Sequence, residues 1–330
     1  MLVGFVTNFM IGILAYMILR STTRLRRIDA ATVAGFYGSD SAGTFVTCIG
    51  VLTAAKIKYA AYMPVMLAVM EIPGCLVALF IVSKLRRSGM DALGNMPSEP
   101  DYDPKAVAPV PADIAHAHRG HGHVPAREAE DDNLQAHLAL EPESPLAPKK
   151  KASGGISLEL LHEVFLNPGI FLLFGGILIG YIGQSQGPMV VADDNKVFHD
   201  LFHGILCLFL LEMGMTASRK LRDLGSAGWR FIAFGLVAPN IFAIAGILIA
   251  NAYAHFTRTP LDEGTYVLFA VLCGAASYIA VPAVQRLAIP EASPTLPLAA
   301  SLGLTFSYNV TIGIPVYIQV ARVVMRAFPV

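Results

Sequence analysis

The stretch "YGSDSAGTF", residues 37–45, lies inside a segment otherwise apolar enough to cross a membrane. Its nine residues hold two Ser, one Thr, two Gly and one Asp. Gly38 and Gly43 each weaken a helix by roughly 1 kcal/mol relative to Ala. In hydrocarbon an unpaired backbone amide costs several kcal/mol, so a helix can break there only where protein or a watery cavity surrounds the break. A break within this run sets a half-helix N-terminus, with roughly half a positive charge, within the membrane, which suits an anion. The carbonyls freed beside it, together with the hydroxyls of Ser39, Ser41 and Thr44, suit a hard cation such as sodium. Small residues at helical spacing also let membrane helices approach closely, so one such run is ambiguous until a second appears.

The rest of the chain supplies the membrane and the second run. Windows 1–19, 164–192, 231–254, 264–285 and 292–321 contain no Asp, Glu, Lys or Arg. Each meets the roughly 20 apolar residues that a spanning helix needs. So many uninterrupted apolar runs identify an integral membrane protein. With 24 basic and 24 acidic residues, net charge points to no partner, and nothing suggests nucleic acid. The N-terminal window lacks a basic leader and a small-residue cleavage site, so it reads as a span, not a signal peptide. Cys48, Cys75, Cys207 and Cys273 sit in apolar windows without pair spacing and read as small hydrophobes.

Eight spans are expected, near 2–20, 31–53, 60–83, 164–184, 198–217, 231–251, 264–284 and 297–321. Residues 1–83 form a first membrane repeat, 84–157 a hydrophilic linker whose composition buries too little apolar surface to fold well alone, and 158–330 a second, five-helix repeat. The basic runs at 20–27, 84–87, 149–151 and 218–223 fall on one side, which makes that side and the linker cytoplasmic. The linker separates two similar pairs of spans. Each pair begins with an interrupted helix, "YGSDSAGTF" and then "CGAASYIAVPA" (273–283), and ends with a Pro-broken one, "MEIPG" (70–74) and "IGIPVY" (312–317). Paired interruptions in corresponding places predict an all-α inverted-repeat transporter whose two discontinuous helices cross at the midplane.

The charged groups within spans are candidates by default, because a carboxylate near the bilayer centre costs about 3 kcal/mol or more. Asp40 is the only charged residue between Asp29 and Lys56. It either matches a bound cation, holds a proton, or caps the following half-helix. Glu71 and Glu212 are candidate gating or structural carboxylates. Ser301, Thr305, Ser307, Asn309 and Thr311 line up polar groups along the last span. His199 and His203 read as interfacial. The run "HAHRGHGH" (116–123) is dense in imidazole but lies in a flexible loop without the geometry of a closed metal site. No zinc-protease, phosphate-loop or dinucleotide pattern occurs, and no nucleophile–base set, so an enzyme is not expected.

The ordered set "RRIDAATVAGFYGSDSAGTF" (26–45), "YMPVMLAVMEIP" (62–73), "LFHGILCLFLLEMGM" (201–215), "VLCGAASYIAVPAVQRLAIPEASP" (271–294) and "SLGLTFSYNVTIGIPVY" (301–317) resembles the sodium-dependent bicarbonate transporter family. The resemblance implies two inverted five-helix repeats, a homotrimer in the inner membrane, and import of bicarbonate, or another small anion, coupled to sodium. It implies an elevator-like motion and a small PII-like, nucleotide-binding regulator at the cytoplasmic face. Carried onto this chain, Gly38, Ser39, Ser41, Thr44, Ala276 and Ser277 bind the anion, and Asp40 and Tyr278 couple the cation; Thr305, among the hydroxyls of the last span, is a further candidate for coupling the cation. The chain starts near the family's third span, so the first repeat is expected to be truncated, giving about 3 + 5 spans.

Overall fold

The computed structural model describes residues 1–106, 168–196, 201–223 and 228–330. These residues form helices and connections, with no strand among them. Chain order gives α1 Leu2–Thr22, α2 Arg27–Tyr37, α3 Ala42–Ala54, α4 Met63–Met70 and α5 Ile72–Arg87. After the linker come α6 Pro168–Gln186, α7 Pro188–Asn195, α8 Phe202–Asp223, α9 Trp229–Thr257, α10 Glu263–Gly274, α11 Ala280–Ala288 and α12 Thr295–Ala327. Among the described residues, four helical stretches are long and apolar enough to cross a membrane: Leu2–Thr22, Met63–Arg87, Trp229–Thr257 and Thr295–Ala327.

The two interruptions foreseen from composition are present. The first separates α2 from α3 at 38–41, and the second separates α10 from α11 at 275–279. The leading half-helices are the most enclosed elements. Every residue of α2 after Arg27 and of α10 after Glu263 is buried. α1 and α5 clasp α2, while α9 and α12 clasp α10. Large apolar side chains such as Met10, Leu208, Val237 and Leu248 face outward, as they do where hydrocarbon replaces water.

The Pro-containing helices differ from expectation. "MEIPG" bends rather than breaks: Glu71 keeps helical angles, and its N–H still donates to the Leu67 carbonyl at 3.1 Å. Asn8 of α1 holds the neighbouring Met70 carbonyl at 2.8 Å. α12 likewise runs on through Pro315, with π-helical stretches at Ala299–Phe306 and Asn309–Gly313 ahead of it.

The linker boundary also moves. Order continues beyond residue 83, through α5 to Arg87 and then through a compact segment to residue 106. Asp91 accepts from the N–H groups of Leu93, Asn95 and Asp103, and Glu99 from those of Arg27 and Met96. These bonds hold 88–106 against the start of α2. The His run at 116–123 lies outside the described residues, as does His199.

This base is knitted by charge. Arg26 pairs with Asp29 at 2.7 Å, and Arg86 with Glu291 at 2.7 Å. Asp29 also accepts the N–H of Ser293 at 2.8 Å. The contacts tie α2 and α5 to the connector between α11 and α12. At the opposite end, the loop after α3 is pinned to α10, where Gly264 N–H donates to Lys58 O and Thr265 Oγ1 accepts from Ala60 N–H.

Candidate functional site at the crossing of two broken helices

A broken helix leaves N–H groups at the start of its second half and C=O groups at the end of its first. Here the two breaks satisfy part of each other's deficit. The Ser277 N–H, in the second break, donates to the Phe36 carbonyl at 2.8 Å and to the Ser39 carbonyl at 3.2 Å. The two interruptions are therefore in direct contact. The Gly274 carbonyl, at the end of α10, accepts from Asn309 Nδ2 at 3.0 Å, and Tyr317 OH donates to Asn309 Oδ1 at 2.7 Å. Ser41 is the N-cap of α3, its Oγ accepting from Thr44 N–H at 3.3 Å and Thr44 Oγ1 at 3.0 Å. The cap is thus Ser41 and not Asp40, which answers one of the alternatives left open by the sequence.

Asp40 stands one residue ahead of that cap, fully buried, and neither carboxylate oxygen has a hydrogen-bond partner among the described residues. Ser39 Oγ, also fully buried, has none, and neither does Tyr278 OH. Glu71, at the bend between α4 and α5, is close enough for its charge to act on Asp40. No ion pair reaches Asp40 among the described residues. A bare carboxylate in this setting is costly unless a proton or a cation joins it.

The walls are shaped by close approach. A Cβ on Gly38 would meet the Cα atoms of Gly12 on α1 and Gly74 on α5, and one on Gly74 would meet Ser39 Oγ. A Cβ on Gly43 would collide with the Tyr278 hydroxyl. Tyr278 therefore lies over the first turn of α3, and its ring stacks edge-on against Phe306 at 5.2 Å.

Gly38, Ser39, Asp40, Ser41, Thr44, Ala276, Ser277 and Tyr278 are all buried at or beside this crossing. Thr305 has another engagement. Pro239 in α9 cannot donate to the Gly235 carbonyl four residues back, and Thr305 Oγ1 supplies the missing donor at 2.9 Å. Tyr37 OH then donates to Thr305 at 2.7 Å, so Thr305 braces α9 against the end of α2. Glu212 is exposed on α8, and the structure does not bring it together with Asp40. Asn8 and the carbonyl of Phe36 escaped the sequence reading. Asn8, a lone amide in the charge-free window 1–19, was the signal for the first.

Chemically, the crossing offers helix N-terminal amides and orphan hydroxyls, fit for a small anion, beside an unpaired carboxylate and helix-end carbonyls, fit for a hard cation. Among the described residues no cluster of three or more His, Cys, Asp or Glu could hold a transition metal. No curated protein matches the chain. A family model for the Na+-dependent bicarbonate transporter superfamily matches residues 1–322, nearly the whole chain. The polar crossing thus sits in a protein that belongs to the Na+-dependent bicarbonate transporter superfamily.

Proposed function

We propose that the chain is a secondary transporter that imports bicarbonate across the inner membrane with sodium, binding both at the crossing of the broken helices. The superfamily consists of transporters, and the chain is not an enzyme. The observation that carries the reading is Asp40: fully buried, without a partner for either oxygen, and next to the N-terminus of α3. The anion is held by the first turn of α3 with Ser39, Ser41 and Thr44, and by Ala276 and Ser277 from the second break. Sodium is held by Asp40, with helix-end carbonyls and the Tyr278 hydroxyl in reach. Binding one ion offsets the charge that the other leaves buried, so neither fills the site well alone. That mutual dependence is a coupling free energy. The arrangement of 1–83 and 158–330 as inverted repeats, a homotrimer, and a PII-like regulator meeting a cytoplasmic linker complete the proposal.

The test is labelled bicarbonate uptake into proteoliposomes, with and without an inward sodium gradient. Uptake that needs sodium supports the reading. Uptake in neither condition refutes it in favour of another anion or a non-transporting scaffold for the regulator. Asp40→Asn should remove the sodium requirement. It should also remove the sodium-induced stabilisation of the purified chain, about 2.7 kcal/mol at a hundredfold excess over Kd. Unchanged sodium dependence in that variant sinks the coupling.

A further inference from the structure

A cavity of about 180 Å³ lies where α2 faces α11 and the connector that follows it. Thr32 and Phe36 line it from α2, Gln285 and Arg286 from α11, and Ser293 from the connector, with four prolines completing the wall. It has room for a small oxyanion and several waters. Its outer end is on the charged base, because the connector also carries Glu291, which pairs with Arg86 next to the 88–106 segment. Its inner end touches the crossing. Phe36 is common to both, since it lines the cavity and its carbonyl accepts the Ser277 N–H.

Two side chains give the cavity a chemistry. Arg286 is exposed and is the one charged residue among those lining it. The nearby carboxylates are already matched, Asp29 by Arg26 and Glu291 by Arg86, so among the described residues nothing cancels the charge of Arg286 there. Gln285 is 5% exposed. Its Nε2 donates to the Thr32 carbonyl at 3.3 Å, which fixes the sense of the amide, since a carbonyl needs a donor. Oε1 is left buried and, among the described residues, without a partner. The side chain lies over Gly35, where a Cβ would strike Nε2. A buried acceptor without a donor is unusual enough to ask what supplies one.

We propose that this cavity is an antechamber on the linker side for a small oxyanion that carries its own hydroxyl, with Arg286 attracting the charge and Gln285 Oε1 accepting the O–H. Hydrogencarbonate has that chemistry. Nitrate has the same charge and planar shape but no proton to give. The inference rests on the transport reading and adds to it a selectivity element and a passage on the linker side, through which the anion leaves on import and enters when transport runs in reverse. An acceptor left unpaired by the wrong ligand discriminates more strongly than a lost apolar contact.

The experiment runs labelled bicarbonate transport by the full chain in reverse, from the linker side of oriented vesicles with the sodium gradient set in the same direction, and with nitrate as competitor. Arg286→Gln should raise the KM about five-fold at an unchanged maximal rate, and Arg286→Lys should recover most of the loss. Gln285→Met should narrow the preference for bicarbonate over nitrate by about five-fold. An unchanged KM in Arg286→Gln overturns the antechamber even if Gln285→Met fails to fold, because Arg286 is exposed and makes no side-chain bond among the described residues. An unchanged nitrate preference in a folded Gln285→Met overturns the hydroxyl recognition. A wild-type chain that moves no bicarbonate overturns the function and the antechamber together, whereas variants that match a transporting wild type overturn the antechamber alone.

Discussion

Gly74→Ala tests the close approach on which the crossing depends. Gly74 lies in the first turn of α5, where Pro73 has already removed one donor. A Cβ built there would come within 2.5 Å of Ser39 Oγ and of the Gly38 carbonyl carbon, and would also strike the Gly35 carbonyl oxygen. Two of the three are backbone atoms, which cannot swing aside as a side-chain tip can. The whole of α5 must part from α2, and overpacking of this kind costs about 1–3 kcal/mol. Against that, Ala gains up to about 1 kcal/mol over Gly in a helix. The steric cost prevails because the clash falls on the backbone of both Gly35 and Gly38, so a net loss of about 1–2 kcal/mol is expected. Gly180→Ala is the matched control: it sits in α6 with nothing within 4 Å of its Cβ position, so only the propensity gain applies. Thermal unfolding of both variants in the same detergent, alongside sodium-driven uptake, reads the difference. Gly74→Ala should melt below wild type and lose uptake, and Gly180→Ala should melt at or above it. A Gly74→Ala protein as stable and active as Gly180→Ala would refute the close contact of α5 with the first break.

Asn309→Leu strands the Gly274 carbonyl and the Tyr317 hydroxyl together; a loss of about 1–3 kcal/mol is expected in unfolding measurements. Thr305→Val removes the donor to the Gly235 carbonyl while keeping shape, and should lower stability by about 1–2 kcal/mol without altering sodium dependence, which a sodium titration of uptake checks. Glu291→Gln weakens the Arg86 pair that ties the α11–α12 connector to α5. Because both partners are partly exposed, only about 1 kcal/mol is expected, visible as faster proteolysis at 88–106. Burial pulls the Asp91 carboxyl upward, but the amides of Asp103, Asn95 and Leu93 outweigh it and hold the group below its ordinary range. A depressed carboxyl stabilises the segment above the unfolded pKa of about 3.9, and that contribution is lost as pH falls through the folded value. Hydrogen exchange at 92–103 should therefore rise below about pH 4, and Asp91→Asn should exchange fast at every pH.

The breaks themselves were legible because their cause is local. Gly38, Ser39, Asp40 and Ser41 in succession cannot sustain a helix in an apolar setting, and the run at 273–283 carries the same signal more weakly. The helix positions were legible from the charge-free windows. What stayed hidden depends on partners distant in sequence. Pro73 reads as a break, but the Glu71 N–H keeps its bond to Leu67 and Asn8 arrives from α1 to hold the Met70 carbonyl, so the helix only bends. Thr305 reads as one more hydroxyl near the site until Pro239, sixty-six positions earlier, is seen to have left the Gly235 carbonyl in need of it. Residues 88–106 read as solvated linker because their apolar content is low, and their order comes instead from Asp91 and Glu99 collecting backbone N–H groups.

The contact between Ser277 N–H and the carbonyls of Phe36 and Ser39 explains why the two interruptions belong together. Either break alone would leave helix-end groups unmet in hydrocarbon, at several kcal/mol each. Each crossing bond lowers that cost for both, so the polar site is stable only as a pair. The groups that the pairing leaves over are not spread at random. Of the seven buried side-chain atoms without a partner among the described residues, four are at the crossing: Ser39 Oγ, both oxygens of Asp40 and the Tyr278 hydroxyl. A fold that aims the Thr305 and Asn309 side chains at single carbonyls has left the largest share of its unmet side-chain polarity at the crossing. Ions that complete those groups would stabilise the protein as they bind. The same deficit makes the empty site costly, so that a substitution such as Asp40→Leu, which removes the carboxylate outright, should raise the stability of the sodium-free chain while abolishing its response to sodium. Thermal unfolding at zero and saturating sodium decides this, and a variant that melts lower than wild type without sodium would show that Asp40 is paired after all.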